Sequence, residues 1–498
     1  MKKILLVLAA VAMVGMGTAK AQFNETNNIL YHALRSPQSN LLNPAFFPTN
    51  NTFYLSLPGV NGQFGFPLGI NDIVKYDRKQ KLSVINLDTI LNVMSEDNRM
   101  RMGLDVNLLG FGLKIGSFFF DANMRLVNNI NIGLPASTIK TLLNGNMNGD
   151  DPITEVTLMD GDLLNFQSYL ETSLGAGYRF RKLGLTVGVH AKLLSGLMNL
   201  QTDNTRITIE TSEDLDKVTA KVYYQIQEAA VVPIDTTGGI TNVVSNVIDY
   251  VQDNMSETIK SLLDVQGGNN GVAFDLGLKW DLGPFSFSAS VIDLSPGIHW
   301  QKNVNTLVPE AGQGVLVFNG IDLHDAFENG FSTQGMADSL QSFIDNIKPR
   351  TVLDSGDYWF SVPTKINVGA SVSFWTVMRA GVLFHGQFDR GLISRTNTDG
   401  FNLDLEIPNT FRFNTTLSVG LNLFNWMEII AASSVVYDGE KADFFNPGGG
   451  VIFTPFTALQ FYIMCDYISS IRIIEAKAMN VKFGFNLLLG KGGRSRRR

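Results

Sequence analysis

Between Phe411 and Leu423 the chain alternates with a period of two for a dozen residues. Phe411, Phe413, Leu417, Val419, Leu421 and Leu423 share one parity, and Arg412, Asn414, Thr416, Ser418, Gly420 and Asn422 the other, with Thr415 alone breaking the apolar row. Successive side chains of a strand point to opposite faces, so this segment predicts one strand with an apolar face and a small or polar face. Its length exceeds the five or six or so residues of an ordinary strand and suits the roughly 9 to 11 of a tilted membrane-spanning one. The pattern recurs at Ile366–Phe374, at Leu183–Leu193, along Phe274-Leu276-Leu278-Trp280 and along Val481-Phe483-Phe485-Leu487. Weaker copies run through Met102–Leu108, Phe120–Leu126, Leu170–Phe180, Val218–Ile226, Phe285–Val291, Met427–Tyr437 and Phe461–Tyr467.

After the first sixteen residues no apolar run is long enough for a membrane helix. In lipid every backbone N–H and C=O needs an internal partner, which leaves helices or closed barrels, and the alternation selects the barrel. Very short turns, such as Arg181-Lys182, Asp281-Leu282-Gly283-Pro284 and Asn425-Trp426, alternate with connections of tens of residues. That asymmetry matches short periplasmic turns and long external loops. With Phe53–Phe66 as a first strand, the expectation is an all-β, transmembrane antiparallel β-barrel of about 14 strands over residues 53–490. Helical periodicity interrupts it near 84–100, 240–265 and 321–347, predicting amphipathic insertions that cap the barrel or line a ligand entrance.

The chain opens with Lys2 and Lys3, an apolar core Ile4–Met16 and a small-x-small site at Ala19-Lys20-Ala21. This reads as a signal peptide, residues 1–21, removed to expose Gln22, and it directs the barrel to the outer membrane. The single Cys465 excludes an intramolecular disulfide framework. A net charge of −7 argues against nucleic acid as a partner. The last eight residues, 491–498, form a basic tail bearing Lys491, Arg494, Arg496, Arg497 and Arg498. It is expected to extend into the periplasm as a solvated appendage or to meet an acidic partner or lipid headgroups.

The polar parity of the strands supplies the lumen-facing candidates: Arg125, Glu171, Arg179, His190, Lys192, Asp275, Lys279, Arg412 and Lys482. Both signs are present, so these groups are expected to pair within the lumen or to tune a passage. His32, His190, His299, His324 and His385 are scattered without metal-ligand spacing, and no nucleophile motif or phosphate loop is present. No catalytic, cofactor or metal site is therefore expected. The least favoured reading is a barrel-wall hydrolase using His190 with Ser195 or Ser168.

Near the mature N-terminus stands Ser39-Asn40-Leu41-Leu42-Asn43-Pro44-Ala45, followed by Phe46 and Phe47, with Leu57-Pro58-Gly59 shortly after. This element resembles the Asn-Pro-Ala segment at the start of the long-chain fatty-acid transporter (FadL-type) barrels and their Bacteroidota relatives of the PorV type. The whole chain is similar to an uncharacterised family of Bacteroidota outer-membrane proteins in that superfamily. The resemblance implies that residues 22–52 fold inward as a plug or hatch rather than lying as a loop before the first strand. It makes Asn43, Pro44, Ala45, Phe46 and Phe47 the candidates for a plug and ligand path. It also implies passive transport of small hydrophobic compounds across the outer membrane. The alternative is a PorV-like anchor, shuttle or assembly partner for exported surface proteins. The partners so implied are outer-membrane lipid, a hydrophobic small molecule and an exported surface protein. The basic end departs from the terminal aromatic of many bacterial barrels, and Phe483 and Phe485 are the residues left to serve as its assembly signal.

Overall fold

The computed structural model describes residues 27–47, 51–66, 74–77, 82–85, 99–133, 147–148, 151–152, 155–161, 164–211, 217–231, 253, 260, 268–309, 315–322, 349–352, 356–375, 377–388, 392–396, 400–403, 411–423, 426–437, 442–455, 458–467 and 478–490. The signal peptide and the basic tail lie outside them, as do most of the three helical insertions. At the edges of those insertions, residues 82–85, 99–100 and 321–322 are strand rather than helix. Within the second, Asp253 and Lys260 are helical.

Fourteen antiparallel strands close on themselves. β1 is in two pieces, Phe53–Ser56 and Gly59–Gly65. β2 (Arg99–Ile115), β3 (Phe118–Gly133), β4 (Leu164–Phe180) and β5 (Leu185–Thr211) follow. β6 (Asn270–Leu282), β7 (Phe285–Leu294), β8 (Thr364–Phe374), β9 (Met378–Phe388) and β10 (Phe411–Leu423) continue the wall. β11 (Met427–Tyr437), β12 (Ala442–Phe453), β13 (Leu459–Asp466) and β14 (Ala478–Leu489) complete it. Each strand pairs with the next, and β14 returns to β1 through Phe53↔Leu489 and Val60↔Phe483. Closure leaves no wall strand with an unpaired edge, which is what hydrocarbon requires. The expected strand over Phe53–Phe66 is broken because Pro58 has no N–H to give to the ladder. Leu57 N still reaches Phe485 O at 3.0 Å, so the seam stays bonded up to the proline.

The outer face is apolar around the wall, with Leu109, Leu174, Val189, Leu276, Leu417 and Ile463 all exposed. At the short-turn rim Phe118, Phe180, Trp280, Phe285, Trp375 and Trp426 are exposed too, an aromatic girdle of the kind that sits at a membrane interface. The wall is thus a membrane-spanning barrel of the outer-membrane type. Among the described residues no helix is long and apolar enough to cross a membrane.

β5 is 27 residues long, about 90 Å of extended chain, far more than a membrane needs. Its distal half leaves the wall and pairs with Glu155–Gly161 and with Lys217–Ala230. The latter strand pairs onward with Val304–Pro309 and Val315–Asp322. The alternation at Val218–Ile226 therefore belongs to this sheet beyond the long-loop end, and the strand is not part of the wall.

Residues 27–47 run through the lumen as a short helix, α1 (Asn28–His32), a 3-10 turn (Pro37–Leu41) and a tight turn. Asn28 donates to Asn414 at 3.0 Å, and Ile29 N to Asp466 at 2.9 Å. Gln38 and Asn486 exchange bonds of 2.6 and 2.9 Å, and Leu42 O accepts from Ser290 at 2.7 Å and Asn367 at 3.1 Å. The segment is bonded to strands around the inner wall, which satisfies its backbone away from water.

Candidate functional site

The Asn43-Pro44-Ala45 turn is built by local chemistry. Pro44 presets the φ of the second turn position, Phe46 N donates to Asn43 O at 2.8 Å, and Asn43 Oδ1 accepts from Ala45 N at 2.9 Å. The same side chain uses Nδ2 to reach Ala289 O at 3.2 Å, Leu278 O at 3.3 Å and the Tyr31 hydroxyl at 3.3 Å. Asn43 therefore both closes the turn and ties it to β6 and β7. It is fully buried.

The wall makes room for this turn. Gly188 lies opposite Gly277, so two glycines stand side by side across β5 and β6, while Gly177, opposite Gly188 on β4, makes room for the Phe119 ring. A Cβ on Gly188 would sit 2.2 Å from Pro44 O, and one on Gly277 would sit 2.3 Å from Asn43 Oδ1. The segment occupies the space that side chains would take at these two positions. Gly381 and Gly450 likewise adjoin the His32 ring and Ile29. Phe46 packs edge-on to Tyr31 at 4.9 Å between ring centroids, and Phe47 lies 5.0 Å from Phe119 and 5.5 Å from Tyr54.

On the long-loop side of the turn, inward charges form one connected layer. Arg125 holds Glu171 through two contacts of 2.7 and 3.0 Å. Lys192 Nζ lies 2.6 Å from Asp293, 2.9 Å from Asp275 and 3.6 Å from Glu171. His190 stands between Asp275 at 3.1 Å and Asp121 at 3.2 Å, and Asn40 of the segment donates to Asp121 at 3.3 Å. Lys365 reaches Asp293 at 3.5 Å. Charges taken out of water persist only when paired and hydrogen-bonded, and this layer meets that condition across six strands. Both ring nitrogens of His190 face carboxylates, while Ser168 bonds Asn128 at 2.8 Å. Ser168 is therefore engaged away from His190. Further out, Val127, Tyr169, Leu194, Ala273, Ile298 and Trp300 pack as an apolar layer.

A family model described as a family of unknown function (DUF5723) matches residues 44–466. The chain belongs to that family. The match begins at Pro44, inside the seated turn. No curated protein matches the sequence. Among solved structures, the toluene transporter TbuX of Ralstonia pickettii is 10% identical with a TM-score of 0.39, over 91% of this chain and 94% of that one. The toluene transporter TodX of Pseudomonas putida is 10% identical with a TM-score of 0.37, over 94% of each chain. A FadL homologue from Pseudomonas aeruginosa is 8% identical with a TM-score of 0.39, over 91% and 93%.

In this DUF5723 chain the remaining inward charges lie apart from the connected layer. Arg179 and Lys279 share Asp281 at 3.5 and 3.0 Å near the short-turn end. Lys482 pairs with Asp466, the carboxylate that also accepts from Ile29 N. Arg412 is buried on the inner face at the start of β10. Beneath the turn, a cavity of about 820 Å³ opens at the short-turn end. Phe46, Phe47 and Phe119 line it together with Arg35, Lys114, Arg179, Lys279 and Arg379. Arg379 donates to His32 O and pairs with Glu428 at 3.0 Å. Sequence reasoning did not single out Asp121, Asp293, Arg35, Arg379 or the seating glycines. Parity alone could have found Asp121, which shares its face with Arg125. Among the described residues no group of three or more metal-ligating side chains converges.

Proposed function

We propose that the protein is an outer-membrane passage for small hydrophobic compounds, opened and closed by its N-terminal segment acting as a plug. The observation that carries this reading is how the lumen is filled. Residues 27–47 are held inside it by hydrogen bonds and packing, between an apolar layer on one side and a cavity lined by Phe46 and Phe47 on the other. Displacing one short segment is a small rearrangement compared with opening a closed β-wall. Asn43 is the side chain on which seating depends most directly, because it bonds the turn, the helix and two strands together.

The test is entry of the neutral dye N-phenyl-1-naphthylamine into cells that carry the wild type, Asn43→Ala or no barrel. The variant is expected to raise dye entry while keeping the heat-modifiable gel mobility of a folded barrel. Equal entry in all three strains would overturn the transport reading.

A second reading is favoured by the sheet beyond the long-loop end, where β5 continues into Glu155–Gly161 and Lys217–Ala230. Such a platform suits docking of an exported surface protein. A barrel with that role would co-purify with its partner and tolerate Asn43→Ala without any change in dye entry.

A further inference from the structure

The wall closes where its first strand meets its last. β1 and β14 lie at opposite ends of the wall sequence, so joining them closes the longest loop of any wall junction, with the largest entropic cost. The ladder is also interrupted there. Ser56 stands opposite Asn486 and Val60 opposite Phe483, so β1 has three residues, 57–59, where β14 has two, 484–485. Against β2 the register runs unbroken, from Ser56↔Gly110 to Gly59↔Asn107. The extra residue is thus a bulge on the β14 side alone, at Leu57-Pro58, where the proline has no N–H to give.

The N-terminal segment covers this seam from inside, row by row. Next to the short-turn end, Tyr54 and Leu488 stand opposite each other and share a buried cluster with Phe47. One row on, Gln38 bridges the last pair before the bulge. Its amide nitrogen donates to Ser56 Oγ at 3.2 Å and Asn486 Oδ1 at 2.6 Å, and its oxygen accepts from Asn486 at 2.9 Å. Asn486 also donates to Gln460 of β13 at 3.0 Å, and Gln460 donates to Arg35 O at 3.1 Å, so this buried amide chain begins and ends on the segment. Beyond the bulge, Cβ atoms on Gly59 and Gly484 would lie 3.0 and 2.5 Å from the Tyr462 hydroxyl, so that side chain of β13 lies over both glycines. Tyr462 packs in turn with Ile29, Leu30 and Ala33. In the following row Lys482, opposite Asn61, pairs with Asp466 of β13, which accepts from Ile29 N. Each inward row from Tyr54 to Asn61 thus meets the segment directly or through one side chain of β13.

We infer that the N-terminal segment is the clasp of the barrel, fastening β14 to β1, with Gln38 the side chain that holds the seam at its bulge. The segment is joined to one side of the seam by the chain itself, since β1 follows soon after Phe47, and to the other side by hydrogen bonds through Asn486, Gln460 and Asp466. Seating therefore draws the last strand to the first, and release strips the seam of its inward contacts. Seating and closure form one cooperative unit rather than two independent ones. The clasp holds whatever crosses the lumen.

Amide hydrogen exchange of the full-length barrel in phosphatidylcholine nanodiscs tests the clasp. Gln38→Leu is expected to speed exchange of Phe53–Ser56 and Asn486–Leu489 by about tenfold, the equivalent of roughly 1.4 kcal/mol, while the β4–β5 hairpin, whose strands are neighbours in sequence, keeps its rates. Unchanged rates at the seam, or equal acceleration of β4–β5, overturn the inference. Should Gln38→Leu lose heat-modifiable mobility, exchange of the wild type in rising urea decides instead. Residues 27–47 and the seam amides are then expected to open together with one free energy and one urea dependence, and separate openings overturn the clasp. A barrel that passes no dye but shows the joint opening keeps the clasp and loses the transport reading, and a barrel that passes dye with an unlinked seam does the reverse.

Discussion

On β5 the side chains Val187, Val189, Ala191 and Leu193 point out of the barrel, whereas the inward His190, Lys192 and Leu194, one step away in sequence, each meet a particular neighbour. The outward set needs only to be apolar, because lipid has no fixed positions for a side chain to match. The inward set needs partners at fixed distances on other strands. Two faces of one strand thus differ in what a substitution costs and in how local its effect is. The outer face is uniformly apolar, and the inner face carries the N-terminal segment and its surroundings.

The sharpest test of that contrast is Lys192→Met. It removes the cation shared by Asp275, Asp293 and Glu171 and leaves three buried carboxylates with only Arg125, His190 and Lys365 to answer them. Breaking such a cluster is expected to cost about 3 to 5 kcal/mol, read as a lower denaturant midpoint for loss of heat-modifiable mobility. If Lys192→Met unfolds at the wild-type midpoint, the layer is not acting as a connected unit. On the outer face Leu417→Arg should cost about 2 to 4 kcal/mol, as a charge at mid-membrane depth does, while Leu417→Ala leaves the fold intact. Comparable losses from Leu417→Ala and Lys192→Met would erase the distinction between the faces.

A smaller and more local effect is expected at the seat of the turn. Gly277→Val places a side chain where Asn43 Oδ1 and Ala45 N now lie. Overpacking of this kind costs about 1 to 3 kcal/mol, and here the N-terminal segment can yield before the wall does. The expected result is protease cleavage within residues 27–47 of the folded barrel, with the wall mobility unchanged. Resistance equal to wild type would mean that the turn does not need the glycine trough.

The same contrast decides what was legible in the sequence. Alternation along Phe411–Leu423 identifies the lipid face because that face obeys one local rule, and Thr415 does not disturb it. The turn chemistry of Asn43-Pro44-Ala45 is local as well. Its seat is not, since Gly188 and Gly277 become neighbours only through the register of two strands. Parity places Arg125 and Glu171 both inward, yet their pairing depends on the register that sets them opposite each other. Asp293 escaped because it sits beside the end of β7 with a positive φ of 60°, where strand parity no longer indicates direction. Val218–Ile226 has the alternation of a wall strand, and only its partners reveal that it belongs to the distal sheet.

His32 offers the finest test, because it lies on the segment and reports seating without altering the wall. Its imidazole is buried against Gly381, and burial together with the adjacent Arg379 lowers its pKa to about 3 from an ordinary 6.5. The seated state therefore holds the ring neutral over a range in which a released, hydrated ring would take up a proton. Release binds more protons than seating between about pH 6.5 and 3, so seating is at full strength above about 6.5 and weakens as pH falls through that window. Amide exchange of residues 27–47 should quicken from pH 7.5 to 4.5 after correction for the intrinsic rate, with wall amides unaffected. Glu428 also faces this site through Arg379, so acid sensitivity alone does not identify the group. His32→Gln removes the imidazole and should flatten the pH dependence while Arg379 and Glu428 stay paired. A slope that survives in His32→Gln would assign the acid response to the wall and leave the inner face, not the segment, as the part that senses protons.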